Sequence, residues 1–321
     1  MTDAPMTLDR AAELRDEPGV LERLRGDARS RTIVVREGRL RVHDDALLRS
    51  PAAEIADAEA AEWALLGRDL DGAPLLLAAV PPIEDSLDAA PEETWLGVRE
   101  VAPRLGAHDQ QLLVEAVALA GWLRDARFCP RCGTAAELRQ AGWSRRCPGC
   151  GAEHFPRTDP AVIVAVESPD GDRLLLGANA RWGGRMHSCF AGFAEAGESL
   201  EATIHRELAE EAGVRIAGIR YLSSQAWPYP RSLMIGFRAV AADEDVRADG
   251  EEILEVRWLS RAEIGSALAG EGPVGLPGEA SIARALIQDW YEERGSAASE
   301  HSRTESGATD ASAPSERSAS S

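Results

Sequence analysis

The sequence predicts an α+β protein in three parts: a small N-terminal α+β domain, a short metal-knuckle ribbon, and a larger domain of strands and helices. Three observations carry that expectation. Short runs rich in Val, Ile and Leu, broken by turn dipeptides such as Glu37-Gly38 and Asp71-Gly72, fill 32–42 and 61–80 and recur at 160–177. Two Cys-x-x-Cys pairs, Cys129 with Cys132 and Cys147 with Cys150, stand between the strand-rich regions. A glutamate-rich helical segment at 199–212 follows a glycine loop and is stopped by Gly213, glycine being the residue that takes the left-handed cap without a Cβ penalty.

Composition bounds the function. The chain has 321 residues, room for two domains and more, and its 44% hydrophobic content supports real cores. A net charge of -19 and a pI near 4.8 give no broad basic footprint for nucleic acid. All 35 basic residues are arginine, which excludes a P-loop and any lysine nucleophile. No apolar run is long enough to span a membrane. Residues 1–5 lack the basic and apolar pattern of a secretory leader. Four of the 5 cysteines fall in pairs that suit metal better than disulfides, so the expected compartment is a reducing cytoplasm.

Taken in order, 32–42 reads as two short strands around Glu37-Gly38, and 61–66 with 74–80 as further strands. Residues 109–125 read as a helix with Leu112, Leu113, Val117, Leu119 and Trp122 apolar. This region, 1–125, reads as a packing or dimerisation module. The ribbon, 126–157, follows. Residues 133–146 separate its two knuckles; each pair brings two thiolates to one ion, and together they complete a tetrahedral Cys₄ site. Four protein ligands leave no open position, so the expected zinc, one per subunit, is structural. The alternatives are a redox role for either pair, and a nucleic-acid-binding ribbon using Arg131, Arg139, Arg145 and Arg146.

From 158 to 294 the expected strands are 160–167, 173–177 beyond the turn at 168–172, 214–223 with 232–241, and 255–259. A helix over 281–293 closes the region, and Cys189 reads as a buried small hydrophobe. Residues 295–321 carry Ser, Ala, Thr and Glu without a large apolar residue and are expected to be a disordered tail.

The glutamate helix holds the chemistry. Stepped at about 100° per residue from Leu200, Ile204 and Leu208 form the core stripe, Glu207 and Glu211 lie along its edge, and Glu210 flanks them. Like charges at these spacings repel, and partly buried carboxylates are costly without compensation. A hard divalent cation is the natural compensator, because it takes carboxylate oxygens and shares its shell with water and substrate phosphates.

At these residues the sequence is identified as resembling a known family. Gly192, five residues, Glu198, seven residues, then Arg206-Glu207-Leu208-x-Glu210-Glu211-x-Gly213-Val214 is similar to the Nudix box at every defining position. The Cys₄ ribbon before the box, and Ser224-Gln225-Ala226-Trp227-Pro228-Tyr229-Pro230-Arg231-Ser232 after it, resemble the NADH pyrophosphatase (NudC-like) subfamily, whose downstream signature is SQPWPFPxS. Ala226 and Tyr229 depart from that signature. The resemblance covers about 126–290. It implies an α-β-α sandwich, the Nudix fold, with a mixed sheet between helices.

The resemblance further implies two or three Mg²⁺ or Mn²⁺ ions per subunit, held by Glu207, Glu211, Glu252 and the main-chain oxygen of Ala191, with Glu210 as a further ligand. Either Glu210 or Glu211 is the base. Arg206 is implied to be structural, paired with a carboxylate such as Glu198. The nucleotide pocket would be walled by Gln225, Ala226, Trp227, Pro228, Tyr229, Pro230, Arg231 and Ser232. Phe155 and Phe193 would stack on base or nicotinamide, one ring coming from a partner subunit of a homodimer. Ala283 and Arg99 are weaker candidates. The implied reaction is hydrolysis of NADH or NAD⁺ to NMNH or NMN and AMP, and removal of NAD caps from RNA 5′ ends. The alternatives are a Nudix hydrolase of another dinucleotide such as ADP-ribose, or a zinc-ribbon nucleic-acid-binding regulator with a nucleotide-sensing Nudix domain.

Overall fold

The computed structural model describes residues 8–55, 57–82 and 94–305. Apolar alternation decides the N-terminal part. Strands β1 (Arg31–Arg36) and β2 (Arg39–His43) form a hairpin in which Glu37 and Gly38 both take positive φ, 48° and 74°, as a two-residue turn matched to strand twist requires. With β3 (Ala46–Leu47), β4 (Glu62–Arg68), β5 (Pro74–Val80) and β6 (Thr94–Gly97) they build a sheet of order β3-β2-β1-β5-β4, with β6 beside β2. β1 and β5 run parallel. Ile33, Val35, Leu75 and Leu77 face one core and Val34, Leu76 and Ala78 the other. Helix α1 (Val20–Arg25) contributes Val20 and Leu24 to the second core. Beyond α2 (Val98–Val101), helix α3 (Ala107–Asp125) covers the first core with Leu112, Leu113, Val117 and Leu123.

The ribbon is a three-stranded antiparallel sheet, β7 (Glu137–Arg139), β8 (Ser144–Arg146) and β9 (Glu153–His154). It is docked on the N-terminal sheet. Trp143 Nε1 donates to the Leu65 carbonyl at 2.7 Å. Arg145 is buried; its Nη2 reaches both Glu62 carboxylate oxygens, at 2.9 and 2.8 Å, and the Leu123 carbonyl at 2.7 Å. Gly142, at φ 91°, lies so close to Ala64 and the Trp63 carbonyl that a Cβ would collide with them. Two of the four arginines offered above for nucleic acid are therefore committed: Arg145 inside this joint and Arg139 to Glu137 at 2.5 Å.

The larger sheet comprises β10 (Asp159–Glu167), β11 (Arg173–Asn179), β12 (His187–Ser188), β13 (Phe190–Phe193), β14 (Ile216–Trp227), β15 (Ser232–Ala241) and β16 (Ile253–Ser260). Its order is β12-β11-β10-β15-β14, with β13 beside β10 and β16 beside β11; the β10–β15 pair is parallel. Along β10 the side chains alternate between layers, as a strand period of two demands. Val162, Val164 and Val166 meet Ile204 and Leu208 of α4 (Leu200–Ala212). Ile163 and Ala165 share a core with Ile264 of α5 (Arg261–Leu268) and with Ile282, Leu286 and Trp290 of α6 (Ile282–Glu305). This is the expected α-β-α sandwich.

Two boundaries differ from the sequence reading. β14 runs to Trp227 because it stays paired with β15 down to Ser232, so half of the Ser224–Ser232 motif is strand. Helix α6 continues to Glu305, into the segment expected to be disordered; Ala, Glu and Arg are good helix formers even where no core demands them. Residues 306–321 of that expected tail lie outside the described residues. Among the described residues no helix is long and apolar enough to cross a membrane.

Candidate active site

Helix α4 starts at Ser199, whose side chain accepts the Ala202 N–H at 3.2 Å, and stops at Gly213, φ 62°. Because Ile204 and Leu208 are fully buried, the helix is held with its glutamate edge against β13. Gly192 on β13 sits directly on the Glu207 carboxylate; a Cβ there would collide with it, so glycine lets the side chain lie against the strand.

Arg206 organises the acids. Its Nε and Nη2 fork onto Glu198 at 2.8 and 3.0 Å, Nη1 reaches Glu207 at 2.8 Å and Glu210 at 3.2 Å, and Nη2 also donates to the Phe193 carbonyl at 3.0 Å. Arg206, with the Glu195 amide and the Thr203 hydroxyl, holds the Glu198 carboxyl down to about 2. Glu198 is thus an anchor and not a proton carrier.

Glu211 is the opposite case. It is 5% exposed, and its Oε2 has no hydrogen-bond partner. Burial first, then the charges of Glu207, Glu252, Asp249 and Glu210, push it up to about 8. Burial also raises Glu207, against the pull of Arg206. Glu252 lies just before β16, with Asn179 Nδ2 donating to its Oε1 at 3.3 Å and its carbonyl accepting the Ala180 N–H at 2.8 Å. Asp249 shapes this turn by accepting the N–H groups of Glu251, Glu252 and Ile253 at 3.1, 3.3 and 2.9 Å. Ala191 lies on β13 opposite Ile163. Buried Glu211 with its orphan oxygen, half-buried Glu207 and exposed Glu252 repel one another, and a divalent cation would supply the missing positive charge. Glu210 is exposed and shares Arg206 Nη1 with Glu207.

The substrate-loop candidates divide. Gln225 spends both ends of its amide inside the protein: Nε2 donates to the Ala280 carbonyl at 2.9 Å and Oε1 accepts the Ile282 N–H, the first of α6, at 2.8 Å. Ala283 is buried in the α6 core, its carbonyl 3.9 Å from the Cys189 thiol, which burial pushes up to about 12. Cys189 is thus the inert apolar residue expected. Ala226 is exposed, Pro228 is buried and the Tyr229–Pro230 peptide is cis. Trp227 and Tyr229 meet edge to face at 5.7 Å. Arg99 lies over both rings, 5.3 Å from Trp227 and 5.2 Å from Tyr229, and the Val98 N–H donates to the Tyr229 hydroxyl at 2.8 Å. The N-terminal region therefore braces the loop directly. Arg231 pairs with Asp159 at 3.1 Å, and Ser232 is buried at the start of β15. Phe155 and Phe193 are 43% and 53% exposed, and no ring contact among the described residues joins them.

In the ribbon the four thiols converge, all within 4.8 Å of one another: Cys129 and Cys150 sulfurs lie 3.7 Å apart, Cys132 and Cys147 3.4 Å. His154 Nε2 stands 3.3 Å from the Cys129 sulfur, an outer-shell contact the spacing of cysteines did not disclose. Asn179 and Asp249 were missed as well. Both act by shaping a turn around Glu252, and a turn between distant strands leaves no periodic signal.

Fold and site define a Nudix hydrolase. Residues 157–275 match the NUDIX domain and residues 124–155 the NADH pyrophosphatase zinc ribbon domain. The NAD-capped RNA hydrolase NudC of Mycobacterium tuberculosis (strain ATCC 25618 / H37Rv) is 41% identical over 278 residues, 83% of this chain and 85% of that protein. The NAD-capped RNA hydrolase NUDT12 of Homo sapiens is 35% identical over 189 residues, 56% of this chain and 41% of that one. Among solved structures, a NUDIX hydrolase from Nitrosomonas europaea covers 53% of this chain and 93% of its own, with 26% identity and a TM-score of 0.41. The chain belongs to the NADH pyrophosphatase (NudC-like) subfamily of the Nudix hydrolases.

Proposed function

We propose that this protein hydrolyses the pyrophosphate bond of NADH and NAD⁺, releasing AMP with NMNH or NMN, and removes NAD caps from RNA 5′ ends. The observation that carries this reading is the buried, unpartnered Glu211 carboxylate among Glu207, Glu252 and Glu210, in a chain 41% identical to an NAD-capped RNA hydrolase.

Glu207, Glu211, Glu252 and the Ala191 carbonyl would hold two or three Mg²⁺ or Mn²⁺ ions. Such ions neutralise bridging phosphate and lower the pKa of bound water. Arg206 keeps Glu207 oriented through its Glu198 anchor. Burial and the neighbouring carboxylates hold the Glu211 carboxyl high, and Glu210 or Glu211 would take the proton of the attacking water, a step typically worth about 10²–10⁴-fold. Trp227 and Tyr229, braced by Arg99, wall the nucleotide pocket, with Ala226, Pro228, Pro230, Arg231 and Ser232 shaping it. Gln225 and Ala283 position this wall from behind. The exposure of Phe155 and Phe193 supports a homodimer in which the two rings, from different subunits, sandwich an aromatic base. The four thiols hold one structural zinc. We assign the protein to the cytoplasm, where such thiols stay reduced.

The test is product analysis: NADH is incubated with Mg²⁺ or Mn²⁺ and the nucleotides are chromatographed, beside Glu211→Gln. AMP plus NMNH from the wild type alone supports the reading. Intact NADH with hydrolysed ADP-ribose would replace it by the other Nudix specificity.

A further inference from the structure

The short loop after β11 is bonded to Glu252 yet has no role in the reaction above. Its base is fixed at both ends. Asn179 and Ala180 bond to Glu252, and the His187 N–H donates to the Gly275 carbonyl at 2.8 Å beside a Met186–Gly275 bridge. Gly183 and Gly184, at φ 62° and 68°, let the chain turn between these anchors. The tip presents Arg181, Trp182 and Arg185, all exposed, with Trp182 at 42%. Leu254, 49% exposed, stands against Gly184 and extends the apolar surface.

The two arginines, like Arg131, Arg146, Arg157 and Arg247, stand outside the ion pairs of this molecule. In so acidic a chain most arginines are taken up by carboxylates, as in Arg31–Asp69, Arg49–Asp109, Arg173–Glu244 and Arg215–Asp243. Among the described residues the guanidinium groups of Arg181 and Arg185 make no ion pair and no hydrogen bond. Two unneutralised guanidinium groups around an open indole make the element that binds single-stranded nucleic acid without reading its sequence: charge follows the phosphates and the ring stacks on a base. Here that element adjoins Glu252, where the pyrophosphate of a cap would be cleaved.

We infer that the 180–185 loop receives the RNA chain that follows the NAD cap, with Arg181 and Arg185 on its phosphates and Trp182 stacking on an unpaired base. This rests on the proposed NAD pyrophosphatase activity and adds the residues that distinguish capped RNA from free NADH.

The experiment compares kcat/KM for NADH and for a single-stranded NAD-capped RNA, using the full chain and the variants Arg181→Ala/Arg185→Ala, Arg181→Lys/Arg185→Lys and Trp182→Ala. The double alanine variant should lose about tenfold on capped RNA and keep NADH hydrolysis within about twofold, and its log–log salt dependence should be shallower by about 1.4 units. The lysine variant should restore most of that loss, and Trp182→Ala should lose about fivefold or more on capped RNA alone. Equal losses on both substrates, no loss on either, or an RNA-specific loss seen only in an Arg131→Ala/Arg146→Ala ribbon variant would overturn the inference. A wild type that opens NADH but leaves capped RNA intact would also overturn it and leave the NADH reading standing. Failure on both substrates would bring down the proposed function itself.

Discussion

The ribbon's cysteines and the cleft's glutamates both gather anionic ligands, but the protein holds them differently. The four sulfurs stand within 4.8 Å of one another. In the cleft Arg206 is threaded through the acids, neutralising Glu198, Glu207 and Glu210 and leaving Glu211 buried without a partner. A closed set of four ligands suits an ion that stays. A partly neutralised, open set suits ions that must also bind substrate and water. The ribbon also lies against the N-terminal sheet through Arg145 and Trp143, whereas the glutamates lie on α4 against β13 of the other sheet. Permanence and turnover are thus separated in space.

The sharpest way to break this contrast is Glu211→Gln. NADH hydrolysis should fall by about 10²-fold or more while the fold is kept, read by product chromatography and circular dichroism. Retained activity would remove Glu211 from the chemistry. Cys147→Ser comes next. Losing a ligand from a closed site should lower Tm by roughly 10 °C and zinc content to near zero by elemental analysis; an unchanged Tm would make the ribbon dispensable. Arg206→Ala should lower kcat by about tenfold, with KM for the metal raised, because Glu207 loses its orientation.

A buried carboxylate outside both sites sharpens the comparison further. Glu115 on α3 is 7% exposed, and burial pushes it up to about 7, against the pull of Arg10 and Arg15. The native state then keeps a proton that the unfolded chain releases above about 4.5, so this residue costs stability progressively from about pH 4.5 to about 7 and fully above that. Glu115→Gln should raise Tm by a few degrees at pH 8 and not at pH 4, with or without divalent metal. At Glu211, by contrast, added metal should cancel the burial cost. The smallest effect is expected from Tyr229→Phe. It strands the Val98 N–H, costs about 1 kcal/mol and raises KM for NADH more than it lowers kcat.

The chemistry was legible in the chain because it is local. A helix of period 3.6 puts Ile204 and Leu208 in the core and Glu207 and Glu211 beside them whatever the rest of the fold does, and two Cys-x-x-Cys turns each present their thiols without help. Strand alternation and turn residues likewise gave most of β1, β2, β10, β11 and β15. The boundaries of β14 and α6 were missed because pairing partners and helix propensity set them, and neither shows as a period.

By itself, then, the sequence determined that two cysteine pairs form a ribbon, that one helix carries Glu207, Glu210 and Glu211, and that Gly213 ends it. Only the tertiary structure decided that Glu211 is orphaned while Glu198 is saturated, that Gln225 props α6 instead of facing open space, and that Arg99 braces Trp227 and Tyr229 from the N-terminal region. The reason is range. Backbone periodicity acts over a few residues, whereas burial and charge pairing depend on groups more than a hundred residues apart, such as Val98 and Tyr229, which meet only when the sheets have assembled.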